Sequence, residues 1–272
     1  MMKKKSMDYL VYVAVIVISV LFMYPIFILF MIAFVPAKYT VQSAYPSLYP
    51  RGFTLQYFEQ AFSINLFGPL LKSLEVAFMV GGIAIAIGIP AAYGLSKLKP
   101  SWAGGIATLL FLSNMMPSIT IAIPIAVEFL ELGLYDTAIS LALAQELVVL
   151  PLSIFILLGA FQALPKDLEA QARVDGAGLL RTIYTVLTPL AKAGVAATFL
   201  IAWMMSWDEF TFAIFLSPIH PTLPIIIYEN ITRGNILATS AFALIVTLPV
   251  IVLAVVLSKY LKGEYLAGGL NG

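Results

Sequence analysis

The sequence predicts an all-α polytopic membrane protein with six transmembrane helices. Hydrophobic residues make up 61% of the 272 residues and charged residues only 11%, and the mean hydropathy is +1.00. Soluble domains are about half apolar and about one quarter charged. Apolar segments long enough to span a bilayer, which takes about 20 helical residues, recur along the whole chain. We therefore expect a single membrane-spanning domain without a separate soluble one.

The predicted spans are separated by segments rich in proline, tyrosine or charge. The first apolar run follows three lysines and has no small-residue cleavage site, so it predicts an uncleaved helix and not a signal peptide. Prolines inside the third and fourth spans predict kinks in those helices. The predicted spans are residues 9–35, 69–95, 102–129, 136–161, 190–216 and 239–261, and the prolines are Pro117, Pro124 and Pro151.

Lysines and arginines indicate which loops face the cytoplasm. With the amino terminus inside, most basic residues fall on the cytoplasmic side, as the positive-inside rule requires. We therefore expect a plasma membrane protein with both termini in the cytoplasm. The inner residues are Lys3, Lys4, Lys5, Lys97, Lys99, Lys166, Arg173, Arg181, Lys192, Lys259 and Lys262, and the outer ones are Lys38, Arg51, Lys72 and Arg233.

Residues 165–189 form the longest polar-rich interruption in the second half of the chain. Asp167 and Glu169 suit the first turn of a helix, because the helix dipole stabilises anions there. Asp175 and Gly176 then predict a break, since glycine tolerates positive φ just beyond a helix C-terminus. The segment therefore predicts a short cytoplasmic helix followed by a turn.

A second short helix is predicted over residues 179–187, with Thr188 and Pro189 as its stop. Residues around the break are small, so another protein could approach the main chain closely. We interpret the segment as a docking element that controls a membrane channel, and the alternative is an ordinary connector. The small residues are Ala170, Ala172, Gly176, Ala177 and Gly178.

Composition excludes several classes of function. A net charge of +1 argues against nucleic-acid binding, and the absence of cysteine removes disulfides and thiolate chemistry. His220 is the single histidine and lies between prolines in a predicted outer loop, so no metal site is predicted. No catalytic triad, paired-carboxylate arrangement or phosphate-binding Gly-x-x-x-x-Gly-Lys motif occurs. We therefore expect a non-enzymatic chain whose energy comes from a partner.

Polar residues inside the predicted spans are candidates for a substrate pathway, because charges in a membrane are costly and usually face a cavity. Aromatic residues flank Asp208 and Glu209, and aromatic faces beside carboxylates suit sugars. The alternatives are a hydrogen-bond network between helices and a position near a helix end. The candidate pathway residues are Asn114, Trp207, Asp208 and Glu209.

Segment 169–189 resembles the EAA loop of binding-protein-dependent ABC import permeases. That loop contains Glu-Ala-Ala, three residues, Gly, nine residues, Ile, one residue and Leu-Pro. Gly176 and Pro189 stand at the matching distance, Ala172 holds the second alanine position, and Val186 replaces the isoleucine.

Three positions depart from this pattern. Ala170 stands where the glutamate is expected, Gln171 at the first alanine and Thr188 at the leucine. Glu169 lies one residue before the position of the motif's acid. The departures put the usual role of that acid in question for Glu169.

The resemblance extends beyond the loop and covers nearly the whole chain, more weakly before Thr54. Residues 114–144 and 161–178 are similar to the sugar-importer branch of these permeases, and the glycine-punctuated tail is similar to the C-terminus of MalG-type subunits. The tail glycines that the resemblance places near an ATPase are Gly263, Gly268 and Gly272.

This resemblance implies a type I ABC importer permease fold and an assembly with several partners. These are a second, homologous permease in a heterodimer, two ATPases that bind ATP and Mg, and an extracytoplasmic sugar-binding protein; the chain itself would hold no cofactor. The implied function is the import of a sugar, such as a di- or oligosaccharide. The implied coupling residues are Glu169, Ala170, Gln171, Ala172, Asp175, Gly176, Ala177 and Pro189.

Two other functions stay open. An ABC importer for another solute, such as glycerol phosphate, would favour basic residues along the path, and the third to fifth spans offer little besides Lys192. A proton-coupled secondary transporter would use Glu75, Glu146 and Asp208 and would need no ATPase. The outer loop 217–237 is expected to contact the binding protein, and otherwise is an inert connector.

Overall fold

The computed structural model describes residues 2–40, 51–63, 66–165, 167–234 and 236–261. Within these ranges the regular structure is helical. The helices are α1 Met2–Phe34, α2 Gln56–Ser63, α3 Phe67–Ser96, α4 Pro100–Ser113, α5 Ser118–Glu131, α6 Ala138–Gln162, α7 Asp167–Val174, α8 Leu179–Arg181, α9 Thr188–Leu190, α10 Lys192–Trp207, α11 Thr211–Leu216, α12 Leu223–Thr232 and α13 Ile236–Leu261, with a π-helical segment Thr182–Leu187 between α8 and α9.

Four described helices are long and apolar enough to cross a membrane: α1, α3, α6 and α13. The number rises to six if each of two bent helix pairs forms one span. The first pair is α4 with α5, bent by 81°, and the second joins residues 179–190 to α10, bent by 85°.

The described chain divides into two compact units. Unit 1 contains the described residues up to Leu66 together with Ile227–Leu248, and unit 2 contains Phe67–Ile226 and the described residues from Pro249. In unit 1 the end of α1 is held by aromatic packing. The Phe34 ring lies 4.7 Å from the Phe58 ring, and the Phe34 carbonyl accepts a 2.8 Å hydrogen bond from the Thr54 amide.

The core of unit 2 lies where α3, α6 and α10 pack together. Small residues allow these helices to approach closely. A Cβ atom placed on Gly88 would lie 2.8 Å from Leu157 of α6, and one on Gly194 of α10 would overlap the Cβ atom of Ala160. The close approach of α6 and α10 therefore depends on glycine at position 194.

The third predicted span, 102–129, is not one continuous helix. It consists of α4 and α5, which are separated by residues 114–117. Pro117 caps the start of α5 with φ −58° and ψ 127°, because a proline cannot donate a hydrogen bond to the preceding turn and disfavours helix in the residue before it. The other two prolines, Pro124 and Pro151, lie inside α5 and α6.

The fifth predicted span, 190–216, also differs. The helix α10 ends at Trp207, and the separate helix α11 begins at Thr211. The second short helix was predicted to end at residue 187, with Thr188 and Pro189 as its stop, but it extends three residues further to Leu190, and the chain bends at Ala191, with φ −86° and ψ 16°. Pro189, which lacks an amide donor, closely follows the π-helical segment, and the helical stretch ends one residue after it.

Asp136 lies two residues before α6 and connects that segment to α3 and to the loop that contains Ile219 and His220. It has φ 63°, a left-handed conformation that Asp tolerates better than most residues. Its carboxylate accepts hydrogen bonds from the amides of Ile219 (3.3 Å) and His220 (3.2 Å), and contacts the His220 ring at 2.5 Å. Lys72 of α3 donates to the Asp136 carbonyl at 3.2 Å.

Burial alone would raise the pKa of Asp136, but the hydrogen bonds from His220 and the nearby Lys72 charge hold that pKa below its usual range. Its side chain is 9% exposed. We define Asp136, Lys72 and His220 as the Asp136 cluster.

We expect Gly194→Ala to destabilise the protein by about 1–3 kcal/mol, because the added methyl overlaps Ala160 in a packed interface. Thermal unfolding in detergent measures the change. The control is Gly159→Ala in α6, where an added Cβ meets no atom within 4 Å. Equal midpoints for the two variants would contradict the close packing of α6 on α10.

We expect Asp136→Ala to expose the amides of Ile219 and His220. Hydrogen bonds to a charged group contribute about 1.5–3 kcal/mol, so their hydrogen exchange should accelerate about tenfold or more. Hydrogen–deuterium exchange by mass spectrometry at neutral pH measures this. The control is Glu229→Ala, which breaks an exposed pair with Arg233.

The same carboxylate predicts an acid response. A lowered folded-state pKa means that its stabilisation is fully present above the unfolded pKa of about 3.9 and is lost as pH falls through the folded value. In the unsubstituted chain, the hydrogen exchange of the Ile219 and His220 amides, corrected for its intrinsic rate, should therefore accelerate only below about pH 4. A similar step in Asp136→Ala would contradict the assignment.

Candidate docking site and pathway residues

The helix α7 begins with Asp167 and Glu169 in its first turn and ends with a tight turn at Gly176. The Gly176 amide donates to the Arg173 carbonyl at 3.0 Å, and the Ala177 amide donates to the Ala172 carbonyl at 2.9 Å. This pair of bonds is a Schellman motif, in which a left-handed residue closes the helix. The predicted positive φ at Gly176 is confirmed at +80°.

Exposed apolar side chains surround this turn. Val174 is 88% exposed, Leu180 70% and Leu179 57%. The surrounding helix α7 is polar, with Asp167, Gln171 and Arg173 among its eight residues. We define Val174, Leu179 and Leu180 with the Gly176 turn as the apolar tip.

The predicted small-residue surface is only partly exposed. Ala170, Gly176 and Gly178 are exposed and Ala177 is half-buried, and the predicted coupling residues Gln171 and Asp175 beside them are exposed as well. Ala172 is 6% exposed and packs inside its own chain, so it does not contribute to a docking surface. The reason is its position on the face of α7 that carries Leu168, which packs against the core of unit 2.

Glu169 is held inside the chain by three neighbours. Its carboxylate accepts a hydrogen bond from the Tyr93 hydroxyl (2.8 Å) and pairs with Arg173 (2.6 Å) and with Lys97. Its side chain is 13% exposed, against 48% for Lys97 and 63% for Arg173. Burial alone would raise the pKa of Glu169, but the hydrogen bonds from Lys97 and Tyr93 hold it below its usual range.

Pro189 lies beyond a π-helical segment, Thr182–Leu187. The Thr188 amide donates to the Ile183 carbonyl, five residues earlier. Pro189 is the second residue of the short helix α9 and lies two residues before the bend at Ala191.

The predicted pathway residues Asp208 and Glu209 differ in their surroundings. Asp208 is exposed. The Glu209 carboxylate accepts hydrogen bonds from the amides of Phe212 (2.8 Å) and Ala213 (3.1 Å), and lies 3.5 Å from the Gln145 amide nitrogen. Glu209 thus anchors the start of α11.

Trp207 and Asn114 also make contacts within the chain. Trp207 is 6% exposed and stacks on Trp203 with ring centroids 4.8 Å apart. Asn114 ends α4 and donates to the Val148 carbonyl of α6 at 3.0 Å. The predicted alternative, a hydrogen bond between helices, is the contact observed for Asn114.

A cleft of about 410 Å³ opens between α5 and α11. It combines aromatic rings, hydroxyl groups and aliphatic side chains. Its lining residues are Ser118, Ile119, Phe210, Thr211, Ile214 and Phe215. None of the four predicted pathway residues lines it.

The tail glycines predicted to contact an ATPase, Gly263, Gly268 and Gly272, lie outside the described residues. Other residues of the site were missed from the sequence. Val174 carried a usable signal, since it is apolar within a polar helix next to the Asp175–Gly176 turn. Tyr93 and Lys97 carried none, because they lie 76 and 72 residues from Glu169.

Comparisons with known proteins give one consistent answer. Residues 84–263 match the family described as the binding-protein-dependent transport system inner membrane component. The chain is 28% identical to the inner membrane ABC transporter permease protein YcjP of Escherichia coli, over 92% of this chain and 91% of that protein. It is 30% identical to the trehalose/maltose transport system permease protein MalG of Thermococcus litoralis, over 75% of each chain.

A solved structure shares the fold. A bacterial ABC transporter involved in the import of the acidic polysaccharide alginate has a chain that superposes with a TM-score of 0.74 at 20% identity, covering 95% of this chain and 97% of that one. The fold is that of ABC importer permeases, and the chain is a multi-pass membrane protein. Since the family match spans more than half of its residues, the chain belongs to the binding-protein-dependent transport system inner membrane components.

Proposed function

We propose that the chain is a permease subunit that imports a sugar, and that the apolar tip docks on a separate ATPase. The exposed apolar tip is the observation that carries this proposal. Lipid does not account for it, because α7 carries two acidic residues and one basic residue within eight. Complete burial of three such side chains contributes several kcal/mol, at about 1.5–3 kcal/mol each. A protein partner with an apolar cleft is the suitable occupant.

The charge distribution supports a cytoplasmic position for this tip. Arg173 and Arg181 lie within five residues of Gly176 in the sequence, and Lys97 pairs with Glu169 of α7; basic residues concentrate on the cytoplasmic side of membrane proteins. The ATPase would bind ATP and Mg there, since the sequence contains no phosphate-binding loop of its own. Both termini would lie in the cytoplasm.

A sugar is the substrate class best supported. Several relatives are named as sugar permeases, such as the trehalose/maltose permease, and the cleft beside α11 offers Phe210 and Phe215 rings with the hydroxyls of Ser118 and Thr211. Such a lining suits sugar C–H faces and hydroxyls. Asp208, which is exposed, stays a candidate for the pathway. A second, homologous permease and an extracytoplasmic binding protein would complete the assembly.

We expect Gly176→Val to reduce assembly with the ATPase about tenfold, because a β-branched residue at φ +80° is strained by about 1–2 kcal/mol and the tip changes shape. Affinity purification of the tagged chain from membranes, with ATP hydrolysis in the eluate, measures this. The control is Gly178→Ala, where φ is −70° and a Cβ meets no atom within 4 Å. Undiminished ATPase recovery with Gly176→Val would contradict the docking site.

We expect proteoliposomes that contain the purified complex to take up a disaccharide such as maltose or trehalose only with binding protein outside and ATP inside. Radiolabelled uptake measures the rate. Asp208→Asn should lower uptake without changing ATPase recovery, whereas Glu209→Gln should lower the yield of folded complex. Uptake of glycerol phosphate alone, or uptake by this chain alone under a pH gradient, would overturn the proposal.

A further inference from the structure

The helix α7 has no covalent link to α3. It follows α6 and precedes α8, whereas Tyr93 and Lys97 lie at the end of α3, more than seventy residues earlier. Any force between α7 and α3 must pass through side chains. The contacts of Glu169 described above provide such a connection.

Apolar packing provides part of it, since Leu168 of α7 packs on the same buried cluster as Ile89 and Tyr93 of α3. A cavity of about 390 Å³ lies between the end of α3 and the start of α7. Its walls include Glu169 and the two α3-side partners of its carboxylate, Tyr93 and Lys97. The lining includes Tyr93, Lys97, Phe161, Pro165, Glu169 and Leu187. Across this pocket the side chains of α7 and α3 do not pack on each other, so the contacts of Glu169 with Tyr93 and Lys97 are the direct polar links between the two helices there.

The geometry at Glu169 is suited to this task. The carboxylate is nearly buried, while its two cationic partners are largely exposed. The Lys97 ammonium also lies 4.8 Å from the centre of the Tyr93 ring, a cation–π contact that limits its freedom. Charge-assisted hydrogen bonds in partly buried places are the stronger ones.

We propose that Glu169 is a positioning residue that fastens α7 to the end of α3 through Tyr93 and Lys97, so that a displacement of the apolar tip moves α3. This rests on the proposed function for the source of that displacement. Glu169 thereby acts within its own chain, and the apolar tip makes the contact with the ATPase.

The other end of α3, near Lys72, also makes polar contacts. The helix is 30 residues long, or about 45 Å at 1.5 Å per residue. Lys72, in its first turns, donates to the Asp136 carbonyl, and the Asp136 carboxylate accepts from two amides of the loop before α12. One continuous helix therefore joins the Glu169 contacts at one end to the loop before α12 at the other.

The first test measures the contact itself in the purified full chain. The chain contains no cysteine, so Leu98→Cys and Gln171→Cys add two specific sites for spin labels at exposed positions. We expect a narrow distance distribution that broadens at least twofold with Glu169→Gln. The control is Asp167→Asn, which changes a second acid in the first turn of α7 and should leave the distribution narrow. An unchanged distribution with Glu169→Gln would overturn the proposal, whether or not an ATPase binds.

The second test measures coupling in the reconstituted complex. With Glu169→Gln we expect normal ATPase recovery, continued ATP hydrolysis and about a tenfold fall in sugar transported per ATP. In a chain that already carries Tyr93→Phe and Lys97→Met, the same substitution should have little further effect, because contacting residues are not additive.

The outcomes separate two failures. Loss of ATPase recovery with Glu169→Gln, with an equal effect in the Tyr93→Phe, Lys97→Met background, would show that Glu169 acts on the ATPase directly and would overturn the positioning role. Absence of any ATPase from the unsubstituted chain would refute the proposed function and leave the spin-label result to decide the contact alone.

Discussion

Main-chain hydrogen bonding in apolar surroundings is the constraint on which unit 2 depends. A polar main-chain group without a partner in hydrocarbon costs several kcal/mol, so a helix can stop only where another group takes over. Glu209 accepts from two amides where α11 begins, and Asn114, just past the end of α4, links that end to α6 through the Val148 carbonyl. Asp136 accepts hydrogen bonds from two amides of the loop before α12, which are exposed and where water is the competing partner. Polar side chains within this apolar chain thus stabilise the interruptions of its helices.

This constraint explains which features of the fold could be predicted. Apolar length alone located the long helices, because only a helix satisfies its own main chain over about 20 residues. The breaks were harder. Pro117 starts a new helix while Pro124 and Pro151 remain within helices, and the difference depends on neighbours that satisfy the freed carbonyls. Sequence shows the prolines but not those neighbours.

Only part of the docking segment, residues 165–189, could be predicted, for a similar reason. Its helix and its Gly176 turn follow from local rules, since dipole, capping and positive φ act within a few residues. The partners of Glu169 depend on how α3 meets α7, which no local pattern contains. The same holds for Ala172, whose small size suggested an exposed surface although it packs against the core. Asp208 and Glu209 are neighbours in sequence, yet one is exposed and the other caps a helix.

The π-helical segment before Pro189 has a consequence for the length of the chain there. One residue added to an α-helix rotates everything beyond it by about 100°, and a π-helical turn accommodates one extra residue. Thr182–Leu187 therefore sets the azimuth at which the Gly176 turn emerges relative to α9. The same number of residues closed as an α-helix would rotate Val174 by about 100° relative to α9, whereas a chain one residue shorter would keep its direction without the π-helical turn. The number of residues between Gly176 and Pro189 is thus a structural parameter in its own right, separate from their identity.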